Sequence, residues 1–400
     1  MDGTPAAFLA AAKEKQPFLT EHFRYLHRHP ETAHKEQGTN RYLRAVLEKM
    51  GIPYLAPQDN ITIAVLDSGK PGPCVGLRCD TDALPVQEET GLDYASENPG
   101  VMHACGHDAH MTAGLGALSL LSEHKEDWRG RVKLIFQPAE EGEDGSDEVI
   151  ATHLVDDVDA FFALHVWSPF ADGTLHISPI TVSAAVDMFE IRVHGKGGHG
   201  ATPQLCADAV VAGSALVCAL QSVVSRSVPP TSCAVLTVGS FHAGEVGNVI
   251  AGEAVLKGTL RCLDEETRLI LETRLRELSE TTAAAYGCTA EVGNIRVSDA
   301  VRNDLELTTC ARRCAEGLVP PDRLGEQKTM MLGDNFANYG AIAPYCYGQV
   351  GIADRNKETD YPHHNGKFRV DEEVLPLCSA WMAAFVSAYG RNENGKETES

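Results

Sequence analysis

The chain has 400 residues, of which 43% are hydrophobic and 22% charged, and its formal net charge is −22. That length exceeds one ordinary core and predicts two domains. The composition is that of a folded globular protein rather than a disordered or membrane-embedded one, and the acidic balance argues against a nucleic-acid surface. No apolar run reaches the roughly 18 to 20 residues of a membrane span, and residues 1–5 show no basic, then apolar, leader. The twelve cysteines are scattered, mostly in apolar segments such as 217–220, the pattern of reduced core thiols. A cytoplasmic, membrane-free protein is expected.

Residues 7–51 read as helical. Phe18, Leu19, Phe23 and Leu26, then Tyr42, Leu43, Val46 and Leu47, recur at three-to-four spacing, with Pro30 as a break and Gly51 as a stop. Strands are expected at 61–66 and 74–78. The second runs into Asp80-Thr81-Asp82-Ala83-Leu84-Pro85 and so puts two carboxylates at a strand's C-terminal end, where open α/β sheets gather their sites. An apolar helix at 112–122 follows, then a buried strand at 132–136 leading into Gln137-Pro138-Ala139-Glu140-Glu141-Gly142. A further apolar strand at 160–167 carries His165 near its end. Strands alternating with helices, polar only at their ends, predict an α/β fold: a mostly parallel sheet with helices on both faces.

Near residue 185 the texture changes. Residues 188–194 alternate apolar and polar, and a helix (206–225), two alternating strands (234–239 and 254–263), an amphipathic helix (265–285) and a last strand (288–292) follow. This βαββαβ order is that of a ferredoxin-like α+β unit. Helix and strand texture resumes near 298 and ends in an apolar helix at 374–389. The expected organisation is a discontinuous catalytic domain, 1–184 and 298–400, interrupted by an inserted domain, 185–297.

The densest chemistry lies in Met102-His103-Ala104-Cys105-Gly106-His107-Asp108-Ala109-His110. Cys105 and His107 flank Gly106, so an extended or turned backbone points both the same way. Thiolate, imidazole and carboxylate are the ligands of a borderline-soft cation such as zinc. Glu141, His165 and His364 complete a candidate set of five, enough for two cations if the sulfur bridges. Taken singly, His165 also reads as a satisfied strand histidine and Cys105 as a small buried residue; their joint placement at loops and strand ends argues for a site. Glu140, beside Glu141, would point the opposite way in an extended segment, leaving one carboxylate for metal and the other for a proton. The bland reading of that pair is a solvated acidic loop. His103 and His110 have no role by this reasoning. The glycines around His199, in 195–203, suit a loop that approaches a ligand closely. Asn248 and Arg261 could hold a substrate carboxylate, the arginine bidentately, or be surface strand residues.

The order of these segments, from His29-Pro30-Glu31 through Asn248-Val249-Ile250, resembles that of the M20 metallopeptidases. The likeness is to the amidohydrolase branch with hippurate hydrolases, auxin-conjugate hydrolases and N-acyl amino acid amidohydrolases, over nearly the whole chain. The resemblance implies a hydrolase with two divalent metal ions, zinc first and manganese, cobalt or nickel as others, that cleaves the amide of small-molecule N-acyl amino acids with metal-activated water. It implies Cys105, His107, Glu141, His165 and His364 as ligands, Cys105 bridging, with Glu140 as general base and Asp82 steering a ligand. It further implies a lid domain that makes a homodimer and sends His199 into the partner's site to stabilise the oxyanion, with Asn248 and Arg261 contacting carbonyl or carboxylate. The chain departs from the family at Met331-Leu332-Gly333-Asp334-Asn335-Phe336, where the acid pair is Glu-Asp, and at His363 and Gly366, where leucine and proline are usual. Two rival readings stand beside this one: an amidase with Cys105 as nucleophile and His107 as its base, and a non-catalytic dimeric binding protein on the same fold.

Overall fold

Apolar residues recurring every three to four positions give the N-terminal helices one buried stripe each. In the computed structural model, which describes residues 3–142 and 144–396, with side chains to 391, these are α1 (Pro5–Glu14), α2 (Gln16–Arg28) and α3 (Gln37–Met50). They bury Phe8, Leu19, Phe23, Leu26, Leu43 and Leu47, and α3 stops at Gly51, whose left-handed φ of 69° suits glycine. Then come β1 (Tyr54–Gln58), β2 (Ile61–Asp67), β3 (Cys74–Asp80), α4 (His107–Glu123), β4 (Arg131–Gln137), α5 (Gly145–Ile150), β5 (Ala160–Ala171) and β6 (Leu175–His176). The middle of the chain forms β7 (Ala185–His194), β8 (Gly198–His199), α6 (Ala209–Ser222), β9 (Ala234–Ala243), β10 (Val249–Ile250), β11 (Glu253–Cys262), α7 (Glu265–Ala285) and β12 (Thr289–Ser298). The rest is α8 (Leu305–Glu316), β13 (Leu324–Gly325), β14 (Tyr345–Ala353) and α9 (Leu375–Lys396).

The chain divides into two compact units. One comprises Met1–Val182, Arg302–Lys328 and Asn335–Ser400, the other Ser183–Val301 and Thr329–Asp334. The first is built on an eight-stranded sheet in the order β1-β2-β4-β3-β5-β14-β6-β13. Its middle strands β4, β3, β5 and β14 run parallel. A parallel sheet is covered on both faces, so its strands read as continuous apolar runs; β3 is buried at every position and β4 at all but Arg131. α4 is buried all round from His107 to Leu121, packed against α9 and α2. It begins five residues earlier than periodicity predicts, because its polar first turn, His107 to His110, carries no apolar stripe.

The second unit is a four-stranded sheet in the order β12-β7-β11-β9 with every pairing antiparallel, and α6 and α7 pack together on it. This is the expected ferredoxin-like arrangement. α6 starts three residues later than predicted because Asp208 caps it, accepting from Val210 N at 2.9 Å and Val211 N at 3.3 Å. The helical run Ala209–Ser227 is long and apolar enough, by length and composition, to cross a membrane. That corrects the expectation that no such run exists: Gly213, Ser214 and Ser222 break up the apolar stretch without lowering its mean hydropathy below that of a span. In the structure Ala212, Leu216, Leu220 and Val223 form one face of the second unit's core.

Candidate metal centre

The first unit gathers side chains from the loop after β3, the start of α4, the turn after β4, β5 itself and the loop after β14. Gly106 precedes α4 with a left-handed φ of 86°, and a Cβ there would stand 2.3 Å from Val166 Cγ2. This kink leaves Cys105 outside the helix and His107 in its first turn. The ligand atoms of Cys105, His107 and His165 lie within 4.8 Å of one another, as do those of Cys105, Glu141 and His364 and those of His107, Glu140 and Glu141. Cys105 Sγ is 3.5 Å from His165 Nε2, and His364 Nε2 is 3.0 Å from Glu141 Oε1. All five residues expected as ligands, and Glu140, are therefore brought together.

The imidazoles are oriented from behind. His107 Nδ1 donates to the Asp82 carbonyl at 2.8 Å, which leaves Nε2 buried with no hydrogen-bond partner among the described residues. His165 Nδ1 donates to the Val166 carbonyl at 2.6 Å and turns Nε2 towards Cys105. Backbone acceptors hold metal-ligating histidines in this way. Burial foremost, with His110 and His363 nearby, keeps the His165 pKa well below the usual range, so its lone pair is available. Burial, with Glu141 beside it, pushes the Cys105 thiol up. Such a thiol is a poor nucleophile on its own and ionises when a cation takes the sulfur. Glu141 Oε1 is buried, with the His364 ring at 3.0 Å beside it. A sulfur, nitrogen and oxygen donor set in which His107 Nε2 is buried without a partner among the described residues fits divalent cations.

Asp82 stands behind the donors. Its carboxylate accepts from Glu140 N at 3.0 Å and Glu141 N at 2.9 Å, and Oδ1 lies 3.4 Å from His107 Nδ1. Ala139 just before has φ 48°, so the segment is a turn and not the extended stretch expected. In an extended chain Glu140 and Glu141 would diverge; the turn brings both to His107.

Several participants went unrecognised. His110 donates from Nδ1 to Asp80 Oδ1 at 2.6 Å and accepts at Nε2 from Val166 N at 3.0 Å, tying α4 to β3 and β5. Asp80 also accepts from Arg78 Nη1 at 2.5 Å. A lone arginine in an otherwise apolar buried strand was the signal for that pair. His363 donates from Nε2 to Val166 O at 3.0 Å and stacks on Trp167, with burial holding its pKa down at about 4. His103 is buried with both ring nitrogens unpartnered among the described residues. Of the departing pair, Asp334 closes a segment of the second unit. Asn335 is buried in the first, where Oδ1 accepts from Arg78 Nη2 at 3.1 Å and Gln137 Nε2 at 2.9 Å.

The remaining predicted residues belong to the second unit. His199, exposed on β8, pairs in register with Val249 of β10; its Nδ1 accepts from Ala201 N at 3.0 Å. Asn248 is also exposed, and its carbonyl accepts from Gly200 N at 2.9 Å. A Cβ on Gly200 would lie 2.9 Å from that carbonyl oxygen. The close approach of the β8–β10 ribbon is thus a structural reason for a glycine beside His199. Arg261 on β11 donates from Nη1 to Met331 O at 3.0 Å.

A parallel α/β unit with such a donor set and an adjacent carboxylate at its strand ends defines a metallo-hydrolase. Peptidase family M20/M25/M40 matches residues 76–388, and the chain belongs to that family. It is 35% identical to the N-acetyl-L-cysteine deacetylase of Bacillus subtilis (strain 168), over 90% of this chain and 85% of the relative. It is 39% identical to an N-acyl-L-amino acid amidohydrolase of Geobacillus stearothermophilus, over 67% and 73%. Among solved structures it superposes on the Bacillus subtilis YXEP protein, a dinuclear metal binding peptidase from the M20 family, with TM-score 0.82 and 30% identity, covering 95% and 99%. Membership places the chain with metallo-hydrolases rather than with cysteine amidases or binding proteins.

Proposed function

We propose that this protein is an amidohydrolase that cleaves N-acyl amino acids to a carboxylic acid and a free amino acid. The observation that carries the reading is the convergence of Cys105, His107, Glu141, His165 and His364, with Glu140 beside His107 and Glu141; the named activities of the two relatives support it. The five donors would hold two divalent cations, zinc by preference and manganese, cobalt or nickel as alternatives. Cations bound there would supply the Lewis acidity that polarises an acyl carbonyl and acidifies a water molecule.

Glu140 takes the proton of the attacking water and hands it to the leaving amine. Asp82 holds the peptides of both glutamates and, through its own carbonyl, the ring of His107. His199, whose Nδ1 is an acceptor for Ala201 N, offers Nε2–H to the oxygen on which negative charge develops, and Asn248 and Arg261 take the carbonyl or the amino acid's carboxylate. The first unit is the catalytic domain and the second a lid, through which a homodimer forms and His199 acts in trans. β9 lies at one edge of the second unit's sheet, and Val210 and Val211 are exposed on α6. The enzyme works in the cytoplasm on small molecules.

Metal-stripped protein supplied in turn with zinc, manganese, cobalt or nickel should cleave members of a panel of acetyl, benzoyl and longer-chain amino acid amides. Glu140→Gln should keep its metal and lose roughly 100- to 10,000-fold in turnover. A panel left intact under every metal, or an unimpaired Gln variant, defeats the proposal; a monomer by gel filtration defeats the action in trans.

A further inference from the structure

Ala139 lies directly before the two glutamates and takes a left-handed φ of 48°. A non-glycine residue holds that conformation only where its surroundings over-determine it, and alanine has no side chain with which to do so itself. Its peptide groups are held instead from two remote segments. The Ala139 N–H donates to Glu36 Oε1 at 2.8 Å. Its carbonyl accepts from Asn335 Nδ2 at 3.3 Å and from Gly145 N at 3.2 Å. Glu36 is fully buried just ahead of α3. Asn335 is anchored in turn, since its Oδ1 accepts from both Arg78 and Gln137. With Asp82 on the next two amides, three side chains fix three consecutive residues from 139 to 141. Neither Glu36 nor Asn335 belongs to the donor set, and no residue within two positions of either does.

We propose that Glu36 and Asn335 are positioning residues that clamp Ala139 in its left-handed conformation and so aim Glu140 and Glu141 at the other donors. The amide at 335 has a specific use here. A carboxylate accepts from Arg78 and Gln137 equally well but has no N–H for the Ala139 carbonyl, so asparagine can make a bond here that aspartate cannot. The kinetic part of the proposal rests on the amidohydrolase reading; the metal-binding part does not.

The test uses the full chain with Glu36→Ala, Glu36→Gln, Asn335→Asp, Ala139→Gly and the double variant Glu36→Ala/Ala139→Gly. Zinc affinity by titration, kcat and KM on a cleaved N-acyl amino acid, and melting temperature are measured for each. Glu36→Ala should weaken zinc binding and lower kcat, each by about 10- to 100-fold as for other residues that orient ligands, with KM within about twofold. Glu36→Gln keeps the acceptor and should stay near wild type, and Asn335→Asp should fall in the same direction as Glu36→Ala. Glycine takes a positive φ without strain, so Ala139→Gly should recover most of the zinc affinity and kcat lost in Glu36→Ala, which a merely destabilised fold would not show. Wild-type zinc affinity and kcat in folded Glu36→Ala, equal damage from Gln and Ala, or no recovery by glycine overturns the clamp. Should Glu36→Ala not fold, Asn335→Asp with and without Ala139→Gly decides by the same criteria. Should the wild type cleave no amide, the functional reading fails and zinc affinity alone judges the clamp.

Discussion

Glu36 sits fully buried with one oxygen on the Ala139 amide and the other, Oε2, lacking a hydrogen-bond partner among the described residues. Burial first, and the Asp82 charge in addition, raise its pKa from 4.5 to about 7. The sign follows from linkage. Below pH 4.5 the carboxyl is protonated folded and unfolded, and its contribution is fully present. Between 4.5 and about 7 the unfolded chain releases the proton while the folded one keeps it, so stability falls as pH rises. Each unit of difference is worth 1.36 kcal/mol, so the loss above pH 7 comes to about 3 kcal/mol. Glu36→Gln mimics the protonated acid, accepts the same hydrogen bond and does not ionise. Urea unfolding of wild type and variant at half-unit steps from pH 4 to 9 should give curves that coincide near pH 4 and separate through pH 7, with the variant about 3 kcal/mol more stable at pH 8. A constant difference across the range, or a wild type that gains on the variant as pH rises, would refute a buried, high-pKa carboxyl.

His27 donates to two buried carboxylates, Nδ1 to Asp108 at 2.6 Å and Nε2 to Glu88 at 3.2 Å. Burial lowers its pKa, but those partners outweigh it and raise the value to about 9, so the ring contributes fully below pH 6.5 and loses its effect as pH passes 9. His27→Gln should cost about 3 to 5 kcal/mol at pH 6 and less at pH 10, measured by chemical unfolding; an equal cost at both would exclude a charged ring. Gly106→Ala meets a left-handed φ of 86° and a Cβ position 2.3 Å from Val166 Cγ2, so a thermal melt should show a loss of about 2 to 4 kcal/mol; a melt like the wild type's would show that the kink is not required. Stripping the metal should lower the melting temperature and zinc should restore it, since a ligand at a thousand times its Kd stabilises by about 4 kcal/mol. Cys105→Ala should shrink that shift, and an undiminished shift would place the cation elsewhere.

Burial and sequence order leave a local record, and that part of the protein was legible in the residues. Continuous apolar runs at 132–136 and 160–167 mean strands covered on both faces, and β4 and β5 are such strands in a parallel core. Charged amphipathic periodicity gave α7 as Glu265–Ala285 to the residue. Cysteine, histidine and glutamate at strand ends stand out because they interrupt that apolar texture, which is why Cys105, His107, Glu141, His165 and His364 could be named as one group. Tertiary structure alone decided how they face one another. The φ of Ala139, and with it the direction of Glu140 and Glu141, depends on Glu36 and Asn335, 103 and 196 residues away. His110 and Arg78 turned out to brace Asp80. A hydrogen bond between remote segments leaves no periodicity at either end, so burial can be read from one stretch of chain while orientation waits for the fold.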